Sequence, residues 1–435
     1  MGSLEGLERC TRCGFCLSTC PTYREMGLET ESPRGRLYLI QESTNGRAPL
    51  SRALLGHLDL CLQCRACEPA CPSGVPFGRI MMEARAAILA GPGAHPYPWR
   101  LRAWLLRQLL PHRGRLALAA SALRLYQRLG PGRWLPPLRP LEALLPPLPA
   151  RPFPSYSTRP GQGSHAVGWP SPPEGLTVEP QSGPTRRRVA LFAGCVMPWL
   201  YSGVHAATVR LLARSGCGVL APAGQTCCGA LLLHSGDVAT ARRLARRNTD
   251  LFLGLEIDAV VVNAAGCGSA LKEYPHLLRD DPAYYAKAQR FSALVKDVSE
   301  LLLESPFDLP LRPLPLRATY QDPCHLAHAQ GLRAQPRALL RAIPGLELVE
   351  MAGADRCCGS AGIYNLLHPA LARRLLRSKV EAIRATEAQV VVTANPGCQL
   401  QLAAGLKLWG VPGRVVHLVE LLDEALIGGA NARSP

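Results

Sequence analysis

Eight cysteines within the first 71 residues follow one spacing twice: Cys10, Cys13, Cys16 and Cys20, then Cys61, Cys64, Cys67 and Cys71, each run ending in Cys-Pro. Two residues between successive thiols let a short loop wrap them around one iron–sulfur cube. The fourth thiol, just before a proline, leaves along a helix toward a neighbouring cube. The spacing therefore predicts two [4Fe–4S] clusters with exchanged fourth ligands. Cluster I takes Cys10, Cys13, Cys16 and Cys71; cluster II takes Cys61, Cys64, Cys67 and Cys20. The chemistry expected is electron transfer. Zinc is the alternative, but zinc sites draw pairs from separate Cys-x2-Cys hairpins, not three evenly spaced thiols and a Cys-Pro. Seventeen cysteines, an odd number in short clusters, argue against a secreted disulfide scaffold.

A second cysteine pattern follows. Cys195, Cys227, Cys228 and Cys267 are matched in order by Cys324, Cys357, Cys358 and Cys398, with 31 and 38 intervening residues in the first set and 32 and 39 in the second. Two neighbouring thiolates can grip one metal centre. Each set supplies four from three loops, so these eight are additional candidate ligands for a further iron–sulfur cluster. Cys217 stands alone and reads as a small buried hydrophobe. Cys324-His325 resembles a thiolate–imidazole nucleophile. Neighbours in sequence rarely face each other, however, and Cys324 already belongs to the set, so no catalytic residue is assigned. His234, His325 and His328 are expected to be structural. No G-x-G-x-x-G after a strand and no P-loop occurs, so no flavin or NAD is expected on this chain.

The elements that must position these thiols follow from the patterning. Around the second cysteine pattern lies an internal repeat. Val189-Ala-Leu-Phe-Ala-Gly-Cys195 matches Ala318-Thr-Tyr-Gln-Asp-Pro-Cys324, Val260-Val-Val-Asn263 matches Val390-Val-Val-Thr393, and Val298-Ser-Glu-Leu-Leu302 matches Leu418-Val-Glu-Leu-Leu422. β-branched runs alternate with helical stretches over 238–252 and 369–386, which predicts two copies of a parallel α/β unit with cysteines on loops at strand ends. Residues 99–129 read as two amphipathic helices, with Leu101, Trp104, Leu105 and Leu109 on one face of the first and Leu116, Ala119, Ala120 and Leu123 on one face of the second. Fifteen prolines over 131–184 make that stretch a linker or an extended wrap. The fold class expected is thus α+β multidomain: a helical two-cluster ferredoxin domain (1–95), a basic Pro-rich segment (96–186) and two repeated α/β cysteine-rich domains (187–305 and 315–430).

Composition narrows the partners. The 435 residues carry a formal charge of +17, but residues 79–188 hold sixteen arginines against four acids, a net +12. The charge belongs to one region rather than to a nucleic-acid surface, and no nucleic acid is expected. Arg100, Arg102, Arg107, Arg124 and Arg128 flank apolar helix faces with no obvious core to join, a pattern able to lie on an anionic membrane. No signal peptide and no apolar run of spanning length is visible, so the expectation is a cytoplasmic protein, peripheral on the inner face of the membrane.

Cys227-Cys228-Gly229 and Cys357-Cys358-Gly359, with their flanking cysteines, resemble the CCG domain of heterodisulfide reductases. That family's motif ends in Cys-x2-Cys, where this chain has Ala270 and Gln401, so the family's full ligand set for a non-cubane cluster is absent. The whole layout is similar to the iron–sulfur subunit of bacterial glycolate oxidase. The resemblance rests on Cys13-Gly-Phe-Cys16, Cys20-Pro-Thr-Tyr23, Ser32-Pro-Arg-Gly-Arg36, Cys71-Pro-Ser-Gly-Val75, Gln225-Thr-Cys-Cys-Gly-Ala230, Asn263-Ala-Ala-Gly-Cys267 and Asp322-Pro-Cys-His-Leu-Ala-His-Ala-Gln330. It implies an electron-transfer subunit of an oxidoreductase complex, fed by flavin-binding subunits that oxidise glycolate to glyoxylate and discharging toward a quinone. Iron–sulfur subunits of lactate or other 2-hydroxy-acid oxidases and of anaerobic glycerol-3-phosphate dehydrogenase share the layout, and a zinc-stabilised binding protein is the reading from another class.

Overall fold

The computed structural model describes residues 5–49, 51–90, 97–130, 145, 148–149, 152–153, 175–180, 184–304 and 309–426. Most of the proline-rich stretch lies outside these residues. Within it, Phe153 is buried against the first repeat, its ring tilted 51° to that of His205 with centroids 4.9 Å apart.

The N-terminal region is helical, with helices Pro21–Met26, Pro33–Thr44, Arg52–Asp59 and Phe77–Ala90. Their starts are chemically marked. Pro21 and Pro33 lead the first two, and Ser32 and Ser51 accept hydrogen bonds from the Gly35 and Leu54 amides as N-caps. Gly35 is obligatory, because a β-carbon there would lie 1.9 Å from the Glu29 carbonyl oxygen. Leu37, Ile40, Leu55, Leu58, Ile80 and Met81 make the core, which also takes in Cys61 and Cys67.

Helices Tyr97–Leu109 and Arg113–Leu129 follow. The apolar face read from the pattern of the first is exposed, with Leu101, Trp104, Leu105 and Leu109 all turned outward, whereas Trp99, Ala103, Leu106 and Leu110 are buried. This helix is apolar around most of its circumference, so periodicity alone does not choose the face. A core does await it, since Leu106 and Leu110 pack with the first repeat and Trp99 with the ferredoxin region. In the second helix Leu116 and Ala120 are buried, as the pattern predicts, while Ala119 is exposed.

Beyond residue 187 the two copies have the same topology. The first sheet holds β1 (Gly175–Val178), β2 (Arg187–Leu191), β3 (Cys217–Pro222), β4 (Ala259–Val262) and β5 (Val295–Asp297), in the order β1-β3-β2-β4-β5. The second holds β6 (Arg317–Tyr320), β7 (Glu347–Leu348), β8 (Val390–Thr393) and β9 (Arg414–His417), in the order β7-β6-β8-β9. Leaving out β1, each copy reads second strand, first, third, fourth, all parallel. β1 is an antiparallel addition at the edge, the one sheet position a proline-rich chain readily supplies.

The copies exchange helices. Helix Leu418–Ala425, which ends the second copy, packs on Ser202–Arg214 of the first, and Val298–Glu304, which ends the first, packs on Ala334–Arg341 of the second. Val189, Leu191 and Val261 thus share a single apolar core with Val390, Val392 and Leu418. Arg210 clamps the exchange with a paired contact to buried Asp423 at 2.6 and 2.8 Å.

Candidate iron–sulfur centres

The two N-terminal runs have the same local backbone. Arg12 and Gln63, each two residues after the first cysteine of its run, are left-handed (φ 59° and 52°); so are Gly14 and Arg65, each directly after the second (φ 90° and 61°). Non-glycine residues reach this region at about 1–2 kcal/mol each. Repeated strain at matching positions is the mark of loops shaped around a bound group. It curls each triplet of thiols inward.

Cys10, Cys13, Cys16, Cys67 and Cys71 line one cavity, and Cys20, Cys61, Cys64 and Cys67 line a second. Each cavity gathers three thiols from one run and the last thiol of the other, with Cys67 on the wall of both. Among the described residues no carboxylate lines either cavity. The second is also lined by Arg36 and the first by Arg34. An all-thiol donor set beside guanidinium charge fits a [4Fe–4S] cluster, whose four thiolates carry net negative charge. The cavities differ in depth: Cys13 is exposed and Cys10, Cys16 and Cys71 are half-buried, whereas Cys20, Cys61, Cys64 and Cys67 are buried. Burial pushes the Cys64 and Cys67 thiols well up, so free thiolates there need a positive partner.

Arg36 closes the Ser32-Pro-Arg-Gly-Arg36 stretch. It is fully buried and donates to Thr22 Oγ1 (3.0 Å), the Glu31 carbonyl (2.6 Å) and the His57 carbonyl (2.8 Å), while pairing with the Glu31 carboxylate. Thr22 in turn lies 3.2 Å from Cys20 Sγ. One side chain thus locks the Cys20 corner to the helix that delivers Cys61. Arginine at a helix start usually signals a solvated face, so spacing could not have revealed this.

In the repeats the thiols form chains. Cys195, Cys227, Cys228 and Cys267 interact in succession, with Cys228 and Cys267 sulfurs 3.4 Å apart, and Cys324, Cys357, Cys358 and Cys398 do the same. Hydrogen bonds from Cys227 and then Cys267 hold the Cys228 thiol well below its usual range, helped by the Ala230 amide, and Cys357, Cys398 and the Ser360 amide do this for Cys358. Gly229 and Gly359 permit the turn, with φ 87° and 86°. Cys267 and Cys398 sit in the first turns of helices Ala265–Lys272 and Pro396–Leu408 rather than in loops. Ala270 and Gln401 hold no thiol, and Gln401 instead accepts from Asn365 at 3.0 Å. Cys217 is buried in strand β3, apart from both sets.

His325, read as turned away from Cys324, lies with Nδ1 3.5 Å from its sulfur, because the chain after Cys324 makes a π-turn over His325–Ala329. The His234 ring of the first copy lies against it, tilted by 31° with centroids 5.6 Å apart. Cys324 and Cys357 also share an apolar cluster with Cys64, so the second copy's thiols adjoin the second N-terminal cavity. Among the described residues no three His, Cys, Asp or Glu side chains converge as a single metal ion requires. The thiols line cavities or form chains instead.

Residues 6–75 match the 4Fe-4S dicluster domain family, and residues 189–272 and 318–403 each match the cysteine-rich CCG domain family. The chain is 42% identical to the probable glycolate oxidase iron-sulfur subunit of Bacillus subtilis, over 96% of this chain and 94% of that one. The chain belongs to the glycolate oxidase iron–sulfur subunit family. The Escherichia coli glycolate oxidase iron-sulfur subunit is 34% identical over 97% of this chain and 94% of its own length. Lactate utilization protein A of Geobacillus thermodenitrificans is 33% identical over 54% of this chain and 98% of its own. As a member of this family the chain is an iron–sulfur electron-transfer subunit carrying two [4Fe–4S] clusters in its N-terminal domain. No helix among the described residues is long and apolar enough to cross a membrane.

Proposed function

We propose that this chain takes electrons from flavin-binding partner subunits that oxidise glycolate to glyoxylate and passes them toward a quinone-type acceptor. Cys10, Cys13, Cys16 and Cys71 hold cluster I; Cys61, Cys64, Cys67 and Cys20 hold cluster II. The observation that carries the reading is the exchange of last thiols between the two cavities, which ties both clusters into one conducting unit. Each cluster, when bound, takes up and releases one electron at a time, which suits a chain draining a two-electron flavin. The shallow cavity is the entry, supported by Phe15 between Cys13 and Cys16, a phenyl ring 67% exposed at its mouth. The buried cavity passes charge inward, toward the thiols of the second repeat.

The division into 1–95, 96–186, 187–305 and 315–430 assigns the conducting unit, the basic segment and the two repeats. The chained thiols of the repeats hold at least one further iron–sulfur centre. Trp104 and Leu105, 53% and 51% exposed on an arginine-rich helix, form a peripheral membrane contact that brings the clusters near quinone. A second reading, lactate in place of glycolate, is favoured only by the lactate utilization relative.

The deciding experiment mixes the chain with its co-expressed partner subunits and adds glycolate or lactate anaerobically. Reduction of both cluster signals by glycolate, and weaker reduction by lactate, supports the proposal. Reduction by lactate alone shifts the substrate to the second reading, and reduction by neither overturns the donor assignment.

A further inference from the structure

One cavity lies beside the cluster II site and shares Cys61 with it, where the ferredoxin region, helix Tyr97–Leu109 and both repeats meet. Its walls are largely apolar, with Leu62, Leu106, Leu231, Ile363 and Leu367, but Arg85, Arg102, Asp59 and Cys61 also line it.

Arg102 is the unusual member. Its side chain is 9% exposed, and its Nη1 donates to Asp59 Oδ1 at 2.9 Å. The guanidinium lies over the Trp99 ring, 5.0 Å from the centroid. Its Nε and Nη2, however, are buried without a hydrogen-bond partner among the described residues, and so is Nε of Arg85. Buried N–H groups left unpaired cost about 1–3 kcal/mol apiece, more when charged, and native proteins rarely leave three together. Nε and Nη2 form the fork edge of a guanidinium, the edge that accepts two oxygens of one carboxylate. Cys61 also lines the cavity, and Asp59 is already engaged by Arg102 Nη1 and, through Oδ2, by His368 Nε2 at 3.1 Å, so the Arg102 fork has no anionic partner of its own among the described residues.

We infer that this cavity binds a small monocarboxylate, its two oxygens on the Arg102 fork and its carbon chain against the leucines. Arg85 connects the site to cluster II, because its Nη2 donates to the Cys61 carbonyl at 3.0 Å and to the Leu58 carbonyl at 2.7 Å. A bound anion there disfavours the extra electron on cluster II, and by linkage the reduced cluster weakens carboxylate binding by the same factor. The site thus reports carboxylate level to the electron path. The binding stands on the cavity alone, while its effect on cluster II rests on the ligand assignment proposed above.

The test uses oxidised holoprotein and acetate, which undergoes no redox chemistry here. Equilibrium dialysis against labelled acetate should show saturable binding, weakened about tenfold or more in Arg102→Gln, which lacks the fork. Leu367→Trp, which fills the rim and leaves both arginines in place, should weaken it equally; both variants should keep wild-type iron content. Unchanged binding in either iron-replete variant overturns the site. Displacement of acetate by equimolar chloride, or by a neutral quinone, overturns the carboxylate class. Potentiometric titration followed by EPR should show acetate lowering the potential of the cluster that Cys61→Ser destroys. Binding without any shift overturns the link to the cluster, and a shift confined to the other cluster overturns the ligand assignment while leaving the site intact.

Discussion

Lys379 stands in the second repeat where Asn248 stands in the first: each is the eleventh residue of its 16-residue helix, Val238–Leu253 and Pro369–Arg384. Asn248 donates to the Cys227 carbonyl at 3.2 Å and to Tyr274 Oη at 3.1 Å. Lys379 donates instead to the Gly353 and Ala354 carbonyls at 2.6 and 3.2 Å, and its charge faces Cys357, Cys358 and Cys398. Two copies with the same thiol set therefore sit in different electrostatic surroundings.

Replacing Lys379 by Met removes a charged donor from the Gly353 and Ala354 carbonyls, which keep the Arg356 and Asp322 amides, and should cost about 1–3 kcal/mol. It should also lower metal loading in the second repeat while leaving the first unchanged. Urea unfolding and iron per chain, compared with Asn248→Ala, check both parts. Equal iron loss from the two repeats would refute the electrostatic role.

The exchange of last thiols gives opposite phenotypes to two serine substitutions. Cys20→Ser should damage cluster II, whose remaining ligands lie some forty residues downstream, and Cys71→Ser should damage cluster I. EPR of the reduced protein distinguishes the two signals. If each substitution removes the cluster of its own run, the assignment fails.

Gly359→Ala should be more damaging than Gly229→Ala. Both glycines are left-handed, a conformation that costs alanine about 1–2 kcal/mol. A β-carbon on Gly359 would also lie 2.8 Å from the Ala372 carbonyl oxygen, whereas on Gly229 it would meet the Ala241 methyl at 3.3 Å. Thermal unfolding of the two variants side by side measures the gap.

Acidification should loosen the joint between the repeats. Burial lowers His205 to about 3 and His417 to about 4, while unfolded histidine titrates near 6.5. Both stay neutral in the fold, where His417 Nε2 donates to the Asn263 carbonyl and Asn263 donates to His205 Nδ1. Protons then bind the unfolded chain first, so stability is fully present above pH 6.5 and lost as pH falls toward 4 and then 3. Each ring contributes a loss of up to about 2 kcal/mol between pH 6.5 and 5. Asp297 works the other way: burial raises it to about 6, so it gains a proton in the fold and returns about 1.4 kcal/mol by pH 5. Urea midpoints from pH 7 to 5 should fall overall. The fall should be shallower in His205→Gln and His417→Gln, whose amides cannot take up the proton.

The exposed helix face gives a fifth outcome. Trp104→Glu with Leu105→Glu should reduce co-sedimentation with anionic vesicles and leave iron content untouched. Arg107→Ala should instead destabilise the chain, because Arg107 pairs with buried Asp237 of the first repeat at 2.7 Å. Unaltered sedimentation of the double variant would remove the membrane contact.

Much of the molecule was legible where covalent spacing dictates chemistry. Cysteine spacing foretold a 4Fe-4S dicluster domain, and the register of the copies foretold parallel sheets of one topology. What escaped depends on partners distant in sequence. Helix Tyr97–Leu109 offers leucines on both sides, and its orientation is set by distant partners: Asp59 holds Arg102 inward, Asp237 pairs with the half-exposed Arg107, and Leu106 packs on the first repeat. Arg36 reads as a surface charge until Thr22, Glu31 and His57 close over it. The side-by-side placement of Cys324 and His325 depends on a π-turn that no residue pattern announces.

The crossing of terminal helices between the repeats has a consequence for how this protein assembles. Two halves that complete each other's core amount to a dimer written on one chain. Fusion replaces an encounter between separate molecules by a tethered one at fixed, high effective concentration. Assembly is then independent of how much protein the cell makes. Neither half is obliged to match itself across a symmetry axis, so each can acquire its own side chains around the same four thiols, as the asparagine of one and the lysine of the other already illustrate.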